Sequence, residues 1–269
     1  MHKHKRLIIV SIISAVLLTS LFVALNGKGQ ANQQGSTATG QAPFGQAAKQ
    51  IDDAATPIVD FDNPNAADRI DKNARKLKGV RYEKGMIPRD PHPNLGEIIS
   101  EPERRAGFSD LPSDRSDVIV EAVVGDSKAF LSEDKTGVYS EFTILVSKIL
   151  KVAPGVSVNL GDTIVAERFG GRVRYPSGKV IRCRIVGEGV PIVGKRYLFF
   201  LAKSDQDSYK LLTAYEIQGN KVFALDGSRT EPRGNGRSIF DKHNGEDLDT
   251  FMGKVETTLN NSQGGGTKP

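Results

Sequence analysis

Tryptophan is absent, cysteine occurs once, at Cys183, and only four histidines are present. Each shortage removes a class of chemistry. One cysteine cannot build an internal disulfide framework, so an exported domain of this chain must rest on its apolar core. Cys183 itself reads as a small buried apolar residue. No histidine lies between Ser116 and Leu225. A Ser-His-Asp or Cys-His site would therefore need His92 or His243, both in segments that read as poorly structured. His/Cys clusters and calcium-loop spacing are missing, so no metal is expected. Gly170-Gly171 and Gly187-Glu188-Gly189 lack the following Gly-Lys-Ser/Thr and helix of a phosphate loop, and no cofactor is expected. Dense runs of one charge are also missing: 37 Lys+Arg against 32 Asp+Glu give only +5, unlike the clustered basic surface of a nucleic-acid binder. Tyr139, Phe142, Phe169 and Tyr175 could offer rings to single strands. An exported domain has little access to nucleic acid, and none is expected as a partner.

What is present starts with a basic cap, His2-Lys3-His4-Lys5-Arg6, running into an uncharged apolar stretch from Leu7 to Leu25. As a helix this stretch would reach about 28 Å, close to the hydrocarbon thickness of a bilayer. Residues 1–25 are expected to be an uncleaved signal-anchor; a signal peptide cut after Gly29-Gln30-Ala31 is the alternative. No cysteine follows to carry a lipid. Lys3, Lys5 and Arg6 hold the N-terminus inside by the positive-inside rule. Both readings export the remaining ~240 residues, enough for one or two domains. The expected location is the inner membrane facing the periplasm or exterior, or the secreted fraction if the leader is cut.

Residues 26–57, rich in Gly, Gln, Ala, Ser and Thr, read as the flexible part of a tether spanning 26–62. A short helix with Asn63 as cap, Pro64 in its first turn and Gly79 as stop begins the 63–113 segment. Ile70, Ala74 and Leu77 share one helical face, and Arg69, Lys72, Arg75, Lys76 and Lys78 make the rest basic. The helix is expected to dock through its apolar residues, its basic face either solvated or turned to anionic lipid or wall polymer. Pro88, Pro91, Pro93, Pro102 and Pro112 then imply an extended arm without regular elements over 80–113.

Strand periodicity begins at Ser116. Val138, Phe142, Ile144, Val146 and Leu150 make one face of a long strand; Tyr139, Glu141, Thr143, Leu145 and Ser147 make the other. Strands follow at Thr163–Phe169, Lys179–Val186 and Lys195–Ala202, and Gly219-Asn220 turns a hairpin. The segment 114–227 is an all-β domain, a small OB-like barrel or sandwich. Residues 228–269 hold a linker, an amphipathic helix on Leu248, Phe251, Met252, Val255 and Leu259 with Glu246 and Asp247 in its first turn, and a Gly-rich tail.

The best local constellation is Tyr175-Pro176-Ser177-Gly178. Pro176 suits the second position of a type I turn and Gly178 the left-handed residue of a bulge. The resulting three-residue loop pairs Tyr175 with Lys179 and Arg172 with Arg182. Val173, Ile181, Cys183 and Ile185 then face inward, and Arg172, Arg174, Arg182 and Arg184 share the outer face. Like charges opposite one another cost a few tenths to about 1 kcal/mol. An anionic polymer or acidic protein partner could offset that through the guanidinium forks. Neutralisation by Glu167, Glu188 or other carboxylates, or by water, is the alternative. Glu167 falls on the apolar side of its strand with Val165 and Phe169, where burial would raise its pKa and suit it to general-acid work, with Glu141 as a second carboxylate. Pairing with Arg168 or Arg196 is the plainer expectation.

Four segments resemble a family of uncharacterised exported bacterial proteins: Asp134-Lys135-Thr136-Gly137-Val138-Tyr139-Ser140-Glu141-Phe142-Thr143; Ile164-Val165-Ala166-Glu167-Arg168 with Gly170-Gly171; Val193-Gly194-Lys195-Arg196-Tyr197-Leu198-Phe199-Phe200-Leu201; and Thr213-Ala214-Tyr215-Glu216. The resemblance covers roughly residues 105–250. It implies export and a small OB-like barrel, with no activity attached. A looser likeness to metalloproteinase-inhibitor-type barrels lacks their essential feature, an N-terminal cysteine. The expected function is an extracytoplasmic, membrane-tethered, non-enzymatic binding module. It would contact the membrane through residues 7–25 and an envelope protein or anionic polymer through the arginine hairpin. A carboxylate-dependent hydrolase of envelope polymers and a structural spacer in an envelope complex are the alternatives.

Overall fold

The computed structural model describes residues 55–63, 72–101, 109–204, 208–227 and 238–264. The expected membrane segment at 1–25, the tether before residue 55, the helix start at Pro64 and the final tail lie outside the described residues. Among the described residues no helix is long and apolar enough to cross a membrane.

The protein is mostly β, in two sheets. The strands are β1 (Ile58–Asp60), β2 (Glu97–Ser100), β3 (Val118–Leu131), β4 (Val138–Val152), β5 (Thr163–Phe169), β6 (Gly171–Arg174), β7 (Val180–Ile185), β8 (Arg196–Lys203), β9 (Ser208–Gln218), β10 (Lys221–Ala224) and β11 (Glu246–Asp247). The helices are α1 (Lys72–Val80) and α2 (Leu248–Gly264), with a 3-10 turn at Ile239–His243.

The larger sheet runs β11-β10-β9-β5-β4-β3-β8, and β8 pairs back onto β9. Strands β3, β4, β5, β9 and β8 therefore close into a ring. Neighbours in the ring are antiparallel except β5 and β9, which run parallel. Alternation along each strand sends Val118, Val120, Phe142, Ile144, Ala166, Phe199 and Leu201 into one shared core, as a pleat of period two requires. The opposite side of β8 and β9 carries Leu198, Phe200, Tyr215 and Ile217, covered by Phe251, Met252, Val255 and Leu259 of α2. The expected C-terminal helix is thus present and packs through the face its spacing gave. Glu246 and Asp247 precede it as β11. Asp247 caps the helix, its carboxylate accepting from the backbone N–H groups of Asp249 and Thr250.

The second sheet has the order β1-β6-β7-β2. Its centre is the expected arginine hairpin, but its two outer strands were not foreseen. β1 comes from the end of the tether and β2 from the proline-rich arm, in the proline-free stretch between Pro93 and Pro102. Both add parallel to the hairpin. Proline bars pairing only where its missing N–H is needed, so four residues free of it suffice for an edge strand. Val59, Val173, Ile181 and Cys183 lie beneath this sheet with Ala129, Leu131 and Val138. Cys183 is buried as expected, and burial pushes its thiol up to about 12.

Candidate functional site

The hairpin of β6 and β7 has the expected register: Arg172 faces Arg182 and Val173 faces Ile181. The backbone N–H of Tyr175 donates to Lys179 and that of Gly178 to Tyr175, with Gly178 at φ 80°. This is the three-residue loop with its left-handed glycine. Val173, Ile181 and Cys183 point into the core, and Ile185 is half-buried. Arg172, Arg174, Arg182 and Arg184 share the outer face.

The flanking strands bring acidic groups to this face. Arg174 pairs with Asp60 of β1 at 3.2 Å, and Arg184 with Glu97 of β2 at 2.7 Å. The Nε of Arg172 donates to the carbonyl of Thr56 at 2.8 Å. Of the carboxylates expected to neutralise the hairpin, Glu167 and Glu188 are committed elsewhere, and other carboxylates, Asp60 and Glu97, pair with Arg174 and Arg184 instead. Arg174 still keeps half of its side chain in solvent, and Ile99 and Val180 are exposed beside the arginines.

Glu141 and Glu167 come together. They sit directly opposite one another on β4 and β5, with their side chains on the outside of the ring. Parity holds as expected, since Val165 and Phe169 share the row with Glu167, but this row faces α1 instead of the barrel core. Glu167 is fully buried and Glu141 nearly so. Two guanidinium nitrogens of Arg75 reach the two oxygens of Glu141 at 2.6 and 3.2 Å. The ammonium of Lys78 lies 2.8 Å from Glu141 and 3.5 Å from Glu167. Arg81 approaches Glu167 at 2.9 Å, and the hydroxyls of Ser204 and Ser208 donate to it at 2.7 and 3.1 Å. The partners are thus Arg75, Lys78 and Arg81, not Arg168 or Arg196.

Rings complete this site. The Arg75 guanidinium lies 3.7 Å from the centre of Phe130, and Tyr82 stacks on Tyr139 at 4.3 Å. Burial, then the adjacent Glu167 carboxylate, drive the Tyr82 hydroxyl well above its usual range. Burial likewise raises Tyr139, although Arg75 donates to its oxygen at 2.9 Å.

The helix therefore docks by the face that periodicity assigned to solvent. Arg75 and Lys78 are buried, whereas Leu77 is 74% exposed and Val80 is 48% exposed. Gly79 does not stop the helix. It lies within the last turn, where an added Cβ would meet the backbone N of Glu133 at 3.1 Å. Arg75 and Lys78 belong to the basic face the sequence showed, whereas Arg81 and the pairing of all three with Glu141 and Glu167 were missed. Their three-residue spacing, matched by two outward glutamates on adjacent strands, was the signal.

Two further ionic clusters serve the frame. Arg168 points into the protein and holds Asp226 at 2.6 and 2.9 Å, while donating to the carbonyls of Gly189 and Leu212. Burial opposes its charge, but Asp226 and Glu188 outweigh burial and raise its pKa. His243, expected in a poorly structured segment, is buried in the 3-10 turn. It lies 3.0 Å from Asp110 and 2.7 Å from Glu246, and its ring meets Tyr215 and Phe251 edge-on. A capping box between Ser238 and Asp241 opens that turn and was its readable signal. No group of His, Cys, Asp and Glu among the described residues could hold a metal ion.

No protein-family model, curated protein or solved structure matches this chain.

Proposed function

We propose that the chain is an exported, membrane-tethered, non-enzymatic binding module that takes an anionic polymer or acidic protein partner on the outer face of the arginine hairpin. The carrying observation is the pairing of Arg172 with Arg182, in register between Arg174 and Arg184 on one sheet face. Guanidinium forks in such a row match carboxylates or phosphates bidentately. The apolar stretch Leu7–Leu25 supports tethering to the membrane. An OB-like barrel is the fold within this reading. Its support is the ring order β3-β4-β5-β9-β8 with one parallel pair, β5 with β9, the third and fifth ring strands in chain order, and barrels of that kind serve as binding platforms.

Co-sedimentation of the full chain with envelope fractions tests the reading. The fraction bound should fall when Arg172, Arg174, Arg182 and Arg184 are replaced together by Gln. Arg174→Gln alone should lower it in part. That variant leaves folding intact, because an exposed pair with Asp60 is worth little. Unchanged binding by both variants would overturn the reading.

One observation favours hydrolysis of envelope polymers by Glu141 and Glu167 as a second reading: a single ammonium reaches both carboxylates, which keeps them within the separation that hydrolase pairs use. Release of reducing ends from purified envelope polysaccharide, abolished in Glu167→Gln, would support it; no release by the wild-type chain would remove it.

A further inference from the structure

The way α1 is attached is unusual for a short helix. A helix at a protein surface normally buries an apolar stripe. Here Leu77 and Val80 face outward, and Arg75 and Lys78 face inward. The contacts beneath are ionic, from Arg75 and Lys78 to Glu141 and from Lys78 and Arg81 to Glu167. Attraction in such a network is largely offset by desolvation of the same charges. The helix therefore lacks the apolar burial that holds α2 in place. The chain just after it is fixed independently: the N–H groups of Met86 and Ile87 both donate to the carbonyl of Thr136 at 2.9 Å. Just past the helix end Tyr82 is stacked on Tyr139, so α1 can pivot away from this fixed point without disturbing the barrel.

What lies underneath is a finished receptor for cations. One position has a carboxylate, Glu141, and an aromatic floor, Phe130, which together grip a guanidinium edgewise and facewise. The next has Glu167 with the hydroxyls of Ser204 and Ser208. The three cations that fill them are spaced at every third residue.

We propose that α1 is a detachable cover over the β4–β5 face, an intramolecular ligand that an external Arg/Lys-bearing segment of the same spacing displaces. The proposal goes beyond the anionic-partner reading and is independent of it, because it concerns a different face and a ligand of opposite charge. Opening is local, with a free-energy cost well below that of global unfolding, and salt eases it by screening the pairs as they separate.

Hydrogen exchange of the full-length protein, read by mass spectrometry, tests this. The amides of Lys72–Val80 should exchange at least about tenfold faster than those of β4. They should accelerate again between about 0.05 M and 1 M NaCl, while β4 does not change. A synthetic peptide with the sequence of residues 72–84, in large molar excess, should speed exchange in the protein's own α1. The same peptide with Gln at the positions of Arg75, Lys78 and Arg81 should not. Protection of α1 equal to that of β4 at both salt concentrations would overturn the proposal, as would equal acceleration by the two peptides.

Discussion

Glu141 and Glu167 face each other across β4 and β5, and the ammonium of Lys78 reaches both. Two carboxylates in register would repel, and α1 supplies the opposing charge. The pairing thus explains why a basic helix turns its charges inward. It also sets where a mutation is felt. Glu141→Leu strands Arg75 and Lys78, but release of α1 returns both to water. We expect global stability by urea denaturation to change by no more than about 1 kcal/mol. Proteolysis within Lys72–Val80 should accelerate strongly. A large global loss with α1 still protected would contradict this.

The second buried network has no such escape. Arg168 is rooted in β5 inside the barrel and grips Asp226 with two nitrogens. Asp226→Leu should cost about 3–5 kcal/mol in the same denaturation experiment, the usual penalty for an uncompensated buried charge. A loss near that of Glu141→Leu would mean that the two networks do not differ as their placement implies.

Acid should loosen the junction between the arm and the C-terminal segment. Burial acts to raise the Asp110 carboxyl, but hydrogen bonds from Lys242, His243 and Ser109 prevail and hold it at about 2, against an ordinary 3.8. A depressed folded-state pKa stabilises fully above the unfolded value and is lost as pH falls through the folded one. Stability should therefore drop between pH 3.8 and about 2. Asp110→Asn should flatten that drop, since it has no proton to take up. Parallel pH profiles would refute the assignment.

Gly137 marks where the arm touches the barrel. An added Cβ would stand 1.8 Å from the carbonyl oxygen of Tyr82, far inside contact distance, so backbone must move. Gly137→Ala should lower stability by about 1–3 kcal/mol and shift the Tyr82–Tyr139 stack, which near-ultraviolet circular dichroism would register. An unchanged spectrum would argue against the close approach.

The legible parts of the sequence were those set by local chemistry. Pro176, Ser177 and Gly178 dictate their turn, and from it follows the facing of Arg172 and Arg182. Leu248, Phe251, Met252, Val255 and Leu259 mark a helix and its buried face without outside help. Alternation through Phe142 and Ile144 separates the ring's interior from its exterior. Long-range pairing was beyond such rules. β1 and β2 are three and four residues long, too short for a periodic signal, and gain their strand form from the hairpin they join. The inward face of α1 escapes periodicity for a related reason: apolar periodicity predicts the buried side only when burial is apolar. Its true partners, Glu141 and Glu167, lie more than sixty residues further along the chain. His243 gains its carboxylate neighbours in the same way, from Asp110 far upstream and from Glu246 nearby.

The most direct test of the anionic-partner account is a fluorescence-anisotropy titration of the purified full chain with a labelled polyglutamate oligomer at about 0.15 M salt. The wild-type chain should bind saturably. Replacement of Arg172, Arg174, Arg182 and Arg184 by Gln should weaken binding by about tenfold or more, equivalent to at least about 1.4 kcal/mol. Identical curves for the two proteins, or no binding by the wild type, would contradict it.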